Sequence, residues 1–447
     1  MRLIIILITV YIFTQRNYFK NMLFLLLMFN LYNVNIGYIA VLGGIGITYI
    51  DFITIAMAFA CFIKMKNSYE VDKSIISAYI FLALSIVVGV IFLIFFPSSS
   101  PVLSYSGNWD SYFKGNTAML ASPTFSKQSI LQFIRLTVFV YIISIVKREV
   151  TIEEWRVLVG KLIRSSWYML PLFLIEFFTV LTESDLFTKT RNTLFDFWYI
   201  DMEKRLCGFS TEPSYYAISI FLIIAMNMLC LRNEVLNSKE KRAIYVIISL
   251  YFVIGFFSGA FSFLLAVVAL VILFLKEKLT RKGMVLFVMA IGLAISVVAH
   301  NFTECTKTLL NSDVTVLNRL GNTFSAIIAF FTGSNIVYTS ESTRILSIFI
   351  TGKAWLTRPL FGLGIGTTVC FSGIVSILTT IGVVGFLLWY HLVFHCYPNK
   401  NNSEFYYLLF LLIYLPAGDF ELIYGFNIIL WIQMITLLSK DNDMVYS

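Results

Sequence analysis

Two stretches of this 447-residue sequence gather residue types able to bind an anion and move a proton beside it. The first reads Arg205-Leu-Cys-Gly208-Phe-Ser-Thr-Glu212-Pro213-Ser214-Tyr215-Tyr216-Ala217 and runs into an apolar segment. Pro213 suits the first turn of a helix there, with Ser210 or Thr211 as its cap. A helix N-terminus presents unpaired N–H groups to an anion, and Arg205 adds a full charge whose planar fork matches a phosphate. Glu212 is a carboxylate in position to take a proton from a hydroxyl. Plain helix capping beside an interfacial arginine accounts for the same residues and stays open at this point. The second stretch reads Glu341-Ser-Thr-Arg344, then Trp355, then Arg358-Pro359-Leu-Phe-Gly362-Leu-Gly364-Ile-Gly366. Alternating glycines let backbone approach a ligand closely and expose N–H groups, and Arg344 and Arg358 supply charge. The pattern is not GxGxxG and follows no strand, so a nucleotide-binding fold is rejected.

The chain that must position these residues is strongly apolar. Hydrophobic residues make up 59% and charged residues 13%, and the mean hydropathy is +0.84. A soluble globular chain carries about 25% charged residues. This chain cannot cover its surface with polar groups, which excludes a soluble multidomain protein as well as disordered, collagen-like and disulfide-rich classes. Length alone suggests about three soluble domains, but composition overrides it. The expectation is one all-α, polytopic membrane domain over residues 1–447, with aromatics at 17% available for interfacial belts.

Apolar runs fall at about 3–13, 22–45, 49–63, 75–96, 128–146, 166–183, 213–231, 243–258, 260–275, 284–300, 371–395, 404–417 and 421–438. Lengths near 20 residues suit helices crossing about 30 Å of hydrocarbon, and continuous rather than alternating hydrophobicity excludes a barrel. The runs predict 12–14 spans. The N-terminal run resembles a signal peptide without a small-residue cleavage site and is read as an uncleaved first span. Net charge is +8, yet Lys and Arg sit mainly in every second short connection, which places those connections inside and removes any need for a nucleic-acid partner. Three long connections remain outside, at 97–127, 184–212 and 301–370. Within the last, Thr343 to Leu360 reads as a helix at the membrane surface stopped at Arg358-Pro359.

Other residues carry less. The six cysteines form no metal-binding spacing, and nothing in the spacing supports a Cys207–Cys305 bridge. His391 and His395 share a helical face without an acidic or thiol partner and read as interfacial, so no metal site is expected. No repeat of fixed period is present. Arg135 and Glu176 each lie about seven residues in from the outer end of their runs, about 10 Å deep. An unpaired charge there costs at least about 2–3 kcal/mol. Their helices are consecutive and antiparallel, so the expectation is that they pair or share one polar cavity.

Taken together, R-x-x-G-x-x-x-E-P-S before one span and [S/T]-R…W…P-x-x-G-x-G-x-G before another resemble the O-antigen polymerase (Wzy-type) and ligase superfamily. The resemblance implies a GT-C-like helical membrane fold with large periplasmic loops. It also implies transfer of glycan from undecaprenyl pyrophosphate at the periplasmic face of the bacterial inner membrane, without cofactor or metal. It gives Glu212 and Arg344 catalytic roles and makes Arg205, Arg358, Tyr215, Gly364 and Gly366 substrate-binding residues. The implied partners are undecaprenyl-pyrophosphate-linked glycans, the lipid bilayer and a chain-length regulator protein. The ligase branch carries a histidine just after the glycine turn; here Thr367-Thr-Val-Cys-Phe-Ser-Gly373 follows Gly366, which favours polymerase over ligase. A lipid-oligosaccharide flippase is the third reading, disfavoured because no repeated halves are evident.

Overall fold

The computed structural model describes residues 1–34, 38–42, 45–65, 73–103, 120–184, 186–195, 206–210, 213–231, 238–258, 302–312, 315–332, 340–368, 370 and 372–392, with single positions at 263, 267, 283 and 289. These residues are mostly helical. The first helices are α1 (Arg2–Thr14), α2 (Tyr18–Leu31), α3 (Tyr49–Met65) and α4 (Lys73–Phe95). They are followed by α5 (Lys127–Glu149), α6 (Ile152–Leu181) and α7 (Leu186–Phe195). Then come α8 (Pro213–Cys230), α9 (Ser238–Phe257) and α10 (Phe302–Leu310). The last described are α11 (Thr315–Thr332), α12 (Ser340–Leu356) and α13 (Gly373–Tyr390). Among the described residues four helices, α4, α5, α6 and α13, are long and apolar enough to cross a membrane. The runs at 260–275, 284–300, 404–417 and 421–438 fall almost entirely outside the described residues.

Several boundaries differ from the hydropathy reading. The run at 22–45 is not one helix. α2 stops at Leu31, Asn33 takes a left-handed conformation (φ 47°), and Tyr38–Leu42 and Ile45–Thr48 pair as an antiparallel hairpin, β1 and β2. Gly43-Gly44 between β-branched residues is a hairpin signal that the apolar window averages away. Likewise α6 begins at Ile152, well before its apolar run, because Thr151 and Glu154 form a reciprocal cap: Thr151 N–H donates to Glu154 (2.9 Å) and Glu154 N–H to the Thr151 hydroxyl (3.3 Å). The 97–127 connection carries a short strand pair, Val102–Leu103 with Leu120–Ala121. The 301–370 connection is largely helical: α10, α11 and α12 occupy it, and α12 stops before Pro359 as expected.

α4 shows how the bundle is organised. Ile75, Ala78, Leu82, Ile86, Gly89 and Leu93 form its buried stripe, while Phe81, Leu84, Ile91 and Phe95 are exposed and equally apolar. A helix apolar all round suits lipid on its outer side. Helix ends sort into two levels. At one, Lys20 of α2 pairs with Glu154 of α6, and Lys64 of α3 with Glu149 of α5 at 3.4 Å. At the other lie the hairpin, the start of α3 and α5, and the end of α6. In between, buried polar ties lock helices together. Trp167 donates to Asn227 (2.9 Å), Asn227 to the Ser166 hydroxyl (3.2 Å), and Tyr251 to the Ser166 carbonyl, joining α6, α8 and α9.

Candidate functional site

The first stretch is built around a buried carboxylate. Glu176, near the end of α6, accepts the backbone N–H of Cys207 (2.8 Å) and of Gly208 (2.9 and 3.0 Å). Arg191 of α7 is also buried and donates to the Gly208 carbonyl at 3.1 Å. The Ser210 hydroxyl reaches the Asn33 carbonyl (3.3 Å), and the Phe209 ring packs between Phe173 and Phe195. Residues 206–210 therefore fold back from the loop into the bundle and are clamped there. A carboxylate this deep is tolerated because two N–H donors and a nearby guanidinium meet its charge. Arg205 immediately precedes the clamp and Glu212 lies two residues past it; both fall outside the described residues, and of Tyr215 only its helical backbone in α8 is described.

The expected Arg135–Glu176 contact is not formed. Arg135 instead donates to Asp51 at 2.6 Å, bridging α5 to the first turn of α3. Asp51 in turn accepts from the Thr48 N–H (3.1 Å) and hydroxyl (2.9 Å). The physical reason is packing: α3 lies against α5, and the acid that caps α3 falls within reach of Arg135. Glu176 points to the loop and is occupied by it. Cys207 is a buried thiol, and the Cys305 side chain lies outside those described.

The second stretch is seated in a break in α13. Gly382 has φ 70° and ψ −178°, so the helix is interrupted there. The groups freed by the break are met by the incoming segment. Leu363 N–H donates to Thr379 O (2.6 Å) and Gly364 N–H to Thr380 O (3.1 Å), while Val383 and Val384 donate to Pro359 O (2.9 Å) and Leu360 O (3.1 Å). Backbone is bonded to backbone on both sides of the break, as burial inside a helical bundle requires. Gly382 is compulsory: its φ disfavours any side chain, and a Cβ would overlap the Leu360 carbonyl. Gly366 (φ 71°) rests on the start of α5, where a Cβ would stand 2.8 Å from Ser129 Cα and N. The Phe361 carbonyl sits against Gly89 of α4. The turn thus joins α4, α5 and α13.

Arg358 opens this turn. Its N–H bonds Trp355 O (2.8 Å), its carbonyl accepts from Gly362 (3.0 Å), and the Trp355 indole donates to Pro359 O (3.2 Å). Its Nη1 is buried with no hydrogen-bond partner, and partial burial pulls the guanidinium below its ordinary pKa. Around the turn, Gln132, Thr368 and Ser376 are buried with side-chain polar atoms that also lack partners. Arg344 lies in the first turns of α12, where its backbone alone is described. The first turn of α3 touches one helix beside each segment: Tyr49 packs on Phe195 of α7, and Asp51 holds Arg135 of α5, the helix on which Gly366 rests about two turns away. Among the described residues no cluster of three or more His, Cys, Asp or Glu side chains is gathered as a metal site would require.

Sequence reasoning pointed to the glycines and Arg358 but missed Gly382, Asp51, Arg191 and Gln132. Gly382 alone carried a signal, a glycine inside an otherwise helical apolar run. No family model, curated protein or solved structure matches the chain.

Proposed function

We propose that the protein is a membrane glycosyltransferase that polymerises undecaprenyl-pyrophosphate-linked repeat units into O-antigen or a related surface polysaccharide at the periplasmic face of a bacterial inner membrane. On this reading 12–14 spans in a GT-C-like arrangement carry the loops at 184–212 and 301–370. The observation that carries it is Arg358: a buried guanidinium nitrogen without a partner, fixed at the mouth of a rigid glycine turn. A buried cationic donor left open is costly unless an anion completes it.

In the reaction, an acceptor hydroxyl oxygen attacks the anomeric carbon of a lipid-linked sugar. The carbon–oxygen bond to pyrophosphate breaks, and undecaprenyl pyrophosphate departs with both electrons. Arg358, with Arg205 and Arg344, meets the growing negative charge, as cationic clamps do in phosphoryl transfer. Glu212 takes the hydroxyl proton. A chain-length regulator would act on this cycle from outside the site.

The test is purified protein with lipid-linked repeat units. A ladder of products supports polymerisation, and Arg358→Ala should abolish it while Arg358→Lys rescues poorly, because lysine lacks the planar fork. A single transfer to a lipid core would mean the ligase reading. One observation favours a third: discontinuous helices such as α13 form substrate sites in transporters, so relocation of intact lipid without bond formation would make the protein a flippase.

A further inference from the structure

We propose that Gln132, Thr368 and Ser376 form a neutral hydrogen-bonding subsite beside the glycine turn that holds the hydroxyl groups of a sugar ring; this rests on the glycosyltransferase reading above and adds the part of the substrate next to the anion. Three contacts tie the segments that carry these residues to the glycine turn. Gly366 rests on the backbone of Ser129, and Gln132 lies one turn further along α5, its side chain leaning back toward that turn as helical side chains do. Thr368 follows Gly366 by two residues. Gly364 is bonded to Thr380 O, and the Thr380 hydroxyl bonds Ser376 O (2.7 Å), which places Ser376 one turn away on the same half of α13.

All three are almost wholly buried: Gln132 is 1% exposed and Thr368 and Ser376 are 0%. Both polar atoms of the Gln132 amide, and the hydroxyls of Thr368 and Ser376, have no hydrogen-bond partner. Such groups are normally satisfied, and unpaired ones mark strain or a missing ligand. Their chemistry is specific. An amide offers donors and an acceptor, and each hydroxyl offers both, with no charge among them. That inventory matches ring hydroxyls, which also donate and accept. The cationic Arg358 at the entrance of the same turn would take the pyrophosphate to which the sugar is attached. A purely structural cluster would instead have been bonded internally, as Trp167, Asn227 and Ser166 are.

Apolar isosteres separate the two roles. Replacing an unpaired buried polar group by an apolar one of similar shape is neutral or stabilising for the fold. Gln132→Leu, Thr368→Val and Ser376→Ala should therefore keep or raise the thermal midpoint in detergent. The binding probes are undecaprenyl pyrophosphate and the same lipid carrying the repeat unit, extracted from a strain lacking this protein. Gln132→Leu should weaken binding of the sugar-bearing lipid about tenfold and leave binding of the bare lipid unchanged, whereas Arg358→Ala should weaken both. If the wild type prefers the sugar-bearing lipid and the three variants bind it equally well, the subsite is overturned while the glycosyltransferase reading stands. If the wild type binds neither lipid, that reading fails and the subsite fails with it.

Discussion

The clamp at Leu206–Ser210 and the turn at Pro359–Gly366 fix two loop segments into the same helical bundle by opposite means. The first is held by side chains: the Glu176 carboxylate takes two backbone N–H groups and Arg191 takes a carbonyl. The second is held by main chain against main chain, in a helix broken to receive it, with glycines where a Cβ would collide. The first should therefore depend on ionised groups and tolerate changes in backbone shape. The second should be indifferent to nearby charge and intolerant of a single methyl group. Two buried thiols report on them separately, Cys207 within the clamp and Cys370 just past the turn.

The largest effect is expected from Gly382→Ala. The substitution combines a left-handed φ with a clash against a carbonyl that is itself hydrogen-bonded. The cost should be about 3 kcal/mol or more. In a background where Cys370 is the only cysteine, Gly382→Ala should open Cys370 to a maleimide; with Cys207 alone, labelling should stay low. Unchanged Cys370 protection would mean the turn is not seated in the break.

Glu176→Ala is the converse experiment. It strands two buried N–H donors and leaves Arg191 without its nearby anion, for about 2–4 kcal/mol. Cys207 should become reactive and Cys370 should not. Glu176→Gln keeps one accepting oxygen but turns an NH2 toward the loop, so about 1–2 kcal/mol is expected. Equal labelling of both thiols in either variant would mean that the two regions unfold as one unit and are not held separately.

A smaller effect is expected at the first turn of α3, which reaches α7 of the clamp and α5 beneath the turn. Asp51→Asn should cost about 2 kcal/mol by leaving Arg135 short of its counter-charge. The double variant Asp51→Leu with Arg135→Met should recover most of that, because removing both charges ends the penalty. A double-mutant cycle on thermal midpoints measures the coupling. A double variant no better than Asp51→Asn would show that the pair is needed for more than charge balance, such as orienting α3 against α5.

These residues also show what a sequence of this kind discloses. That Arg135 and Glu176 need partners follows from depth and charge. Which partners they find does not, because Asp51 is chosen by helix packing and the donors to Glu176 are backbone N–H groups, which have no residue type. That the 362–366 glycines allow close approach was legible from their alternation, but the expected ligand was not what they approach: Gly364 N–H is taken by Thr380 O, and Gly362 and Gly366 rest on Thr379 and Ser129. The break that receives them was not, since Gly382 lies in a run whose composition matches an intact span. The hairpin at 38–48 was lost for a related reason: hydropathy windows weigh Ile39, Val41 and Ile47 as they would a helix, although their β-branching and the flanking glycines favour strands. Arg358 was legible as a charge beside a glycine turn; that one of its nitrogens is buried and unpaired is a fact of packing.

The smallest effect should have the opposite sign and tests whether glycine intolerance belongs to the turn. Gly160 lies inside α6, between the capped start of that helix and its apolar part, and a Cβ built there meets nothing within 4 Å. Its conformation is ordinary helix, so alanine removes unfolded-state freedom without a clash. Gly160→Ala should stabilise by about 0.5–1 kcal/mol, a rise of a few degrees in the thermal midpoint, with labelling of Cys207 and Cys370 unchanged. The same methyl group thus costs several kcal/mol at 382 and gains a fraction of one at 160, and the difference between the two sites is the carbonyl of Leu360. If Gly160→Ala proved as damaging as Gly382→Ala, the loss at 382 could not be assigned to the seating of the turn, and any methyl added to this bundle would be expected to do the same.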